Sequence, residues 1–234
     1  MKWTISVSNS LDEVLAFLAN ERDVYALKEL ENHQYRFSKS SSWQAGDHTL
    51  GDFRQIEPLK ALFFHEREFL GKWNDRTARK PLSERIVFGV KNCDLSSLGI
   101  FDHVLLHGDF PDPYYKEARE KTILVSCDCA SQLDVCFCPA VGEQPYAEGG
   151  FDINIAETPE GYVIEDGSER GTQLLESAKQ YLEPASPELI EQLEKQRENR
   201  LQELTEHSEQ HGLKPGTDFR TDFRKAIETT FESD

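Results

Sequence analysis

The stretch Lys121–Pro139 reads Lys-Thr-Ile-Leu-Val-Ser-Cys-Asp-Cys-Ala-Ser-Gln-Leu-Asp-Val-Cys-Phe-Cys-Pro and contains two different signals. It begins with an apolar, partly β-branched run of strand length, and it then carries four of the five cysteines of the chain. The fifth, Cys93, lies upstream, just after a second apolar run, Arg85–Val90. We therefore predict two buried strands that each lead directly into cysteines.

The segment between these strands predicts helices. Asp94 is expected to cap a helix that continues to Leu105, and Asp112 is expected to open a second helix that ends near Glu120. A strand–helix–strand unit implies parallel neighbours joined by a right-handed crossover. Because ligand sites in open α/β sheets gather at the carboxyl ends of the strands, Cys93 and the later cysteines are expected to meet at one edge of the sheet.

Shorter patterns on either side of this unit complete the predicted fold. Alternating apolar residues indicate further strands, and Ser10 with Glu13 has the pattern of a capping box before a helix that ends at Leu18. The predicted fold class is α/β, with a mixed sheet around the strand–helix–strand unit. Further strands are expected at 3–7, 24–27, 35–37, 151–155 and 162–164, a loop at 38–51, and short helices at 58–70 and 174–182.

The C-terminal part of the chain has a different composition. Ser186 followed by Pro187 and Glu188 predicts a helix start, and the helix is expected to run to His211. It is mostly charged with a thin apolar stripe, which fits either a surface helix with one packed face or an arm that lies across a partner chain. We predict an α/β domain at 1–183, which contains all five cysteines, and a helical C-terminal arm at 184–234, which includes a short amphipathic segment at 219–231.

Composition excludes several classes of function. The formal net charge of −17 and the pI of about 4.8 argue against nucleic acid or an anionic membrane as the main partner. Because we find no secretory signal and no apolar run long enough to span a bilayer, we expect a cytoplasmic protein without a membrane span. Thiols stay reduced in that compartment, so five clustered cysteines indicate metal or redox chemistry rather than disulfides.

Thiolates select iron–sulfur clusters, zinc or copper(I). The pair Cys136 and Cys138 has one residue between its members, which suits a cluster better than the Cys-x-x-Cys turn of zinc sites. We interpret Cys93, Cys129, Cys136 and Cys138 as the ligands of one [4Fe-4S] cluster, with Cys127 as an additional cysteine. A four-cysteine zinc site in a non-catalytic assembly subunit, a redox-active thiol and inert thiols stay open as alternatives.

No residue is assigned a catalytic role, since the chain has no Ser/His/Asp signature, phosphate-binding loop or dinucleotide fingerprint. His103 and His107 have a spacing that can hold a metal, but an ordinary helix end is the simpler interpretation. His65 is also interpreted as an ordinary surface histidine, and the Gly167–Gly171 segment as a tight turn before a helix.

The order of several short motifs resembles one family. The series resembles the iron–sulfur β subunit of cytosolic sulfhydrogenase-type [NiFe] hydrogenases, and it is similar to the A subunit of anaerobic sulfite reductase. Pro58-Leu59-Lys60 with Glu68 resembles the N-terminal region of the same family. The motifs that carry the resemblance are 87–94, 112–115, Cys129 with 136–138, 150–152 and 167–171.

The resemblance implies an electron-transfer subunit of an anaerobic, multisubunit oxidoreductase. Its partners would be a flavin-bearing, NAD(P)H-oxidising subunit, a ferredoxin-like chain or a hydrogenase-type catalytic subunit. Cys93, Cys129, Cys136 and Cys138 match the cysteines of the family and Cys127 does not. Two departures are expected to matter: Asn92 stands where the family usually has proline, and the family's C-terminal ferredoxin-like domain with two clusters has no counterpart before Asp234.

Overall fold

A computed structural model describes residues 2–6, 9–31, 34–43, 50, 55–64 and 81–215. Within these ranges the chain forms one eight-stranded sheet with the strand order β3-β2-β4-β5-β6-β7-β1-β8. Short 3₁₀ helices occupy Leu59–Leu62, Cys138–Val141 and Lys179–Tyr181. The strands are β1 Lys2–Ile5, β2 Asp23–Glu29, β3 Tyr35–Ser40, β4 Arg85–Val90, β5 Thr122–Cys127, β6 Ile153–Thr158, β7 Gly161–Asp166 and β8 Leu182–Pro184; the helices are α1 Leu11–Leu18, α2 Asn92–Leu106, α3 Pro113–Glu120, α4 Glu169–Ser177 and α5 Pro187–Gln210.

The predicted mixed sheet is confirmed. β2, β4, β5 and β6 are parallel neighbours, and the remaining pairs are antiparallel. The predicted strand–helix–strand unit corresponds to β4, α2, α3 and β5, in which β4 and β5 pair directly. The described residues therefore have an α/β fold with a long C-terminal helix.

Helices cover both faces of the central strands. Every residue of β4 and β5 is buried, and successive side chains point to opposite faces of a sheet. Phe88 joins an apolar cluster that includes Leu15 of α1, whereas its neighbour Val87 joins a second cluster that includes Leu98 of α2. Burial on both faces explains why these strands read as continuous apolar runs in the sequence.

Two predicted segments differ from the structure. The loop expected to begin at Ser38 is wrong for its first residues, because β3 continues to Ser40 and pairs with β2 there. The helix expected at 174–182 spans Glu169–Ser177 instead, and Leu182 opens β8 beside β1. Of the helix expected at 58–70, only a 3₁₀ turn at Leu59–Leu62 lies in the described residues. His65 and the segment 219–231 lie outside them.

Asp94 does not cap α2, which corrects a third expectation. The N-cap is Lys91, and the helix begins at Asn92. The Asp94 carboxylate is buried in the first turn, where it accepts hydrogen bonds from Gln55 Nε2 and from the backbone N–H of Leu59. This carboxylate ties the start of α2 to the segment that precedes β4.

The turn before α4 is held by one buried carboxylate. Asp152 accepts hydrogen bonds from Ser168 Oγ at 2.6 Å and from Arg170 Nη2 at 2.8 Å. The helix starts so close to β6 that a Cβ added at Gly171 would lie 1.8 Å from the carbonyl oxygen of Asp152. Gly171 is therefore required for the close approach of α4 to the sheet.

Gly171→Ala is expected to lower the free energy of unfolding by about 3 kcal/mol, because a backbone oxygen cannot yield like a flexible side chain. Gly99→Ala is a matched control on α2, since a Cβ there meets no heavy atom within 4 Å, and it is expected to stabilise by up to about 1 kcal/mol. Urea unfolding of both variants measures the difference. Equal stabilities would show that α4 can move away from Asp152 at little cost.

Candidate cofactor site

Four cysteines line one cavity of about 430 Å³, which we call the thiol pocket. Cys93 lies in the first turn of α2 and Cys129 lies two residues beyond β5. Cys136 belongs to the following loop and Cys138 opens a 3₁₀ helix. The structure thus brings together all the cysteines that the sequence predicted as ligands.

Sheet topology explains this convergence. β4 and β5 are parallel neighbours, so their carboxyl ends lie side by side and deliver Cys93 and Cys129 to one edge. The register between the two strands shifts between Phe88 and Val90, at Gly89, which has a φ of +83°. Glycine adopts this left-handed conformation without strain, so the sequence permits the bulge that leads into α2.

Backbone hydrogen bonds hold the cysteine loop in place. The N–H of Cys129 donates to Pro145 O at 2.8 Å, and the N–H of Glu143 donates to Cys138 O at 2.9 Å. Within the loop, the N–H of Leu133 donates to Cys136 Sγ at 3.3 Å. Asn92 Nδ2 donates to Gln144 O at 3.0 Å and thereby joins the start of α2 to the same region. Residues that are distant in sequence therefore form one connected rim.

Two of the pocket thiols, those of Cys138 and Cys129, have raised pKa values. A hydrogen bond with Cys93 and then burial raise the pKa of the Cys138 thiol. Burial also raises the pKa of Cys129, and nearby Cys93 and Cys136 raise it further, while the charge of Lys91 lowers it. Thiols with raised pKa values that face one another become thiolates readily only when a positively charged group binds between them.

Cys127 has a different environment from the other four cysteines. It is buried in the apolar cluster that contains Phe88 and is absent from the lining of the thiol pocket. Burial raises the pKa of its thiol to about 12. Its place in the core agrees with its interpretation as an additional cysteine.

Helix α5 covers the cysteine loop, and the sequence did not reveal this contact. Arg197 Nε donates to Asp128 Oδ2 at 2.7 Å, next to Cys129. Arg200 donates to the carbonyl oxygen of Ala130, and His207 Nε2 lies 3.4 Å from Asp134 O. The charged residues of α5 looked like a solvated face in the sequence, and no pattern in the sequence links them to this loop.

Two acidic residues close to the cysteines in sequence have partners outside the thiol pocket. Asp94 bonds to Gln55, and Asp128 bonds to Arg197 and to Asn154 Nδ2. Neither lines the thiol pocket. Among the described residues, no group of three or more His, Cys, Asp or Glu side chains has the arrangement of ligands to a metal ion. His103 and His107 therefore belong to no such group.

The fold and this site define an α/β protein whose thiols converge at the carboxyl edge of a mixed sheet. No protein-family model matches the chain, and no solved structure matches it. The chain is 28% identical over 184 residues to sulfhydrogenase 2 subunit beta of Pyrococcus furiosus. The aligned region covers 78% of this chain and 54% of that protein. The chain therefore spans about half the length of this relative.

This match confirms the resemblance to β subunits of sulfhydrogenase-type hydrogenases. The likeness to the A subunit of anaerobic sulfite reductase and the domain boundary between residues 183 and 184 stay predictions.

No helix in the described ranges is both long and apolar enough to cross a bilayer.

Proposed function

We propose that the thiol pocket holds one [4Fe-4S] cluster and that the chain carries single electrons within a multisubunit, cytoplasmic oxidoreductase. Cys93, Cys129, Cys136 and Cys138 are the proposed ligands. The observation that carries the proposal is the convergence of these four thiols, drawn from two strand ends and one loop, on one cavity. Thiolates are soft ligands that select such clusters.

The surroundings of the pocket fit this group. Ile100, Leu133, Phe137 and Val141 also line it, so much of the lining is apolar. The N–H of Leu133 already donates to Cys136 Sγ, and Cys93 lies at the N-terminal end of α2, where the helix dipole favours negative charge. A cavity of about 430 Å³ offers far more room than a single ion needs.

When bound, the cluster supplies reversible one-electron redox chemistry. The residues of the chain hold it, limit water around it and set its potential through hydrogen bonds and charge. No described side chain is assigned proton transfer or substrate binding. The chain is thus proposed as a non-catalytic subunit of an oxidoreductase.

A partner subunit is part of the proposal. Ile100, Leu133, Phe137 and Val141 line the pocket yet remain exposed at the surface, and a concentration of exposed apolar side chains is typical of an interaction surface. The relative is itself named as a subunit. The proposed partners are a flavin-bearing, NAD(P)H-oxidising subunit, a ferredoxin-like chain or a hydrogenase-type catalytic subunit, each of which brings its own redox group to this surface.

Anaerobic purification tests the proposal. We expect a brown protein with iron and acid-labile sulfide in equal amounts and with a broad visible absorbance that dithionite bleaches. Mass spectrometry of the chains that co-purify then identifies the partner. Zinc in a colourless protein would instead assign a structural zinc site with four cysteine ligands, and a metal-free protein with one rapidly alkylated cysteine would assign a thiol sensor.

A further inference from the structure

A lysine is buried beside the four thiols. Lys91 is 4% exposed, although lysine is almost never fully buried without partners. It lines the thiol pocket together with the cysteines, and its Nζ lies 3.4 Å from the carbonyl oxygen of Leu50, to which it donates. A buried ammonium at this place puts a positive charge against the pocket wall.

The backbone places Lys91 directly before the first turn of α2. Lys91 is the N-cap of α2, in extended conformation between the end of β4 and the first helical turn. Its side chain extends from there into the lining of the thiol pocket, which it shares with Cys93 and Cys129.

Two arginines of α5 near the cysteine loop are paired with carboxylates. Arg197 lies between Asp128 and Glu165, and Arg200 forms an ion pair with Glu203 at 2.8 Å. Among the described residues that line the pocket, Lys91 is the basic one and Glu143 the acidic one. Glu143 accepts a hydrogen bond from Asn92 Nδ2 at 3.0 Å.

We propose that Lys91 is the counter-charge of the thiol pocket, a positioning residue that holds the reduction potential of the bound cluster above the value it would have without this cation. This inference rests on the proposed function. Four thiolates around a [4Fe-4S] core carry net negative charge, and reduction adds one more electron to it. A fixed cation in a pocket of low dielectric stabilises the reduced form more than the oxidised form.

The test compares the wild type with Lys91→Met, Lys91→Gln, Lys91→Arg and Lys116→Met. Lys116 is the matched control because its side chain is 61% exposed on α3, away from the pocket lining. Each protein is prepared anaerobically, and its iron, its sulfide and the midpoint potential of its visible absorbance are measured. The fold of the metal-free forms is checked by circular dichroism.

We expect Lys91→Met and Lys91→Gln to shift the midpoint downward. At the potential where the wild type is half reduced, their ratio of reduced to oxidised cluster should fall at least tenfold, which is about 59 mV for a one-electron couple. Lys91→Arg and Lys116→Met should change that ratio less than twofold. If the two neutral variants fold but do not load while Lys91→Arg does, the charge is required to hold the anionic cluster, which supports the same role.

Two outcomes contradict the inference, and they differ from failure of the proposed function. A wild type that takes up no iron and sulfide removes the proposed function itself. A wild type that loads, with neutral variants that load equally and keep its potential, overturns only the role of Lys91. Loss of loading in Lys91→Arg as well as in the neutral variants would also overturn it, because side-chain shape rather than charge would then decide.

Discussion

Cys136→Ser is expected to lose nearly all iron and sulfide from the anaerobically purified protein. A serine hydroxyl is a poor substitute for a thiolate on iron, and the change also removes the sulfur that accepts the N–H of Leu133. The pocket would be left with the thiols of Cys93, Cys129 and Cys138. Iron and sulfide content, with the visible absorbance, measures the effect.

Cys127→Ser is the matched control for this change. It makes the same substitution at the end of β5, but the Cys127 thiol lies in the apolar core rather than in the thiol pocket. We expect the control to keep its iron and to lose about 1–3 kcal/mol of stability, through a hydroxyl buried in the apolar core. Equal iron content in Cys136→Ser and the wild type would rule out Cys136 as a ligand.

Arg197→Met is expected to lower the free energy of unfolding by about 3–5 kcal/mol, the usual cost of removing one partner from a buried charge group. The Arg197 side chain is 9% exposed and lies between Asp128 and Glu165, whose side chains are 12% and 15% exposed. Without the guanidinium, two buried carboxylates face each other. Urea unfolding at neutral pH measures the loss.

The effect of Arg197→Met should depend on pH. Burial raises the pKa of Glu165, but the hydrogen bond and charge of Arg197, together with those of Lys2, outweigh it and hold that pKa below its usual value. This contribution to wild-type stability is present above the unfolded pKa of the carboxyl and is lost as pH falls through the folded pKa. In the variant both carboxylates are expected to have raised pKa values, so protonation in mild acid restores part of its stability.

A neutral triple variant separates charge from packing. Combining Arg197→Met with Asp128→Asn and Glu165→Gln removes the cation and both anions together, and replacing a whole buried charge group costs less than breaking it. We expect this variant to be more stable than Arg197→Met alone at neutral pH. If it is no more stable than Arg197→Met, repulsion between the two carboxylates does not account for the loss in that variant, and the lost packing of Arg197 does, including its guanidinium carbon 5.0 Å from the Tyr146 ring centre.

Most of the sheet was predictable because its signals are local. The apolar runs of β4 and β5, the capping box at Ser10 and Glu13, and the Ser186 start of α5 each depend on a few neighbouring residues, and all are present in the structure. Errors arose where a tertiary contact outweighed the local pattern. Asp94 looked like a cap but turns to Gln55, and the serines at the end of β3 looked like a loop but pair with β2.

The candidate site was predictable in its residues but not in its surroundings. Cysteines are so rare in this chain that their clustering after two strands indicated a shared site. Lys91 carried no such signal, because one lysine among many charged residues is uninformative until its burial is known. Contacts also showed that one face of the C-terminal helix is packed, since Leu189 and Leu193 pack on Ala156 and Val163 of the sheet.

The order of strands, helices and cysteines along the chain was enough to predict an α/β fold and a meeting of Cys93 with the later cysteines at one edge of the sheet. Parallel neighbours bring their carboxyl ends together whatever the details of packing, so this result follows from chain order alone. Only the tertiary structure placed Lys91 against the thiols and Arg197 between two carboxylates. Burial and charge pairing depend on contacts between elements that are far apart in sequence, and local sequence patterns do not indicate which elements will be in contact.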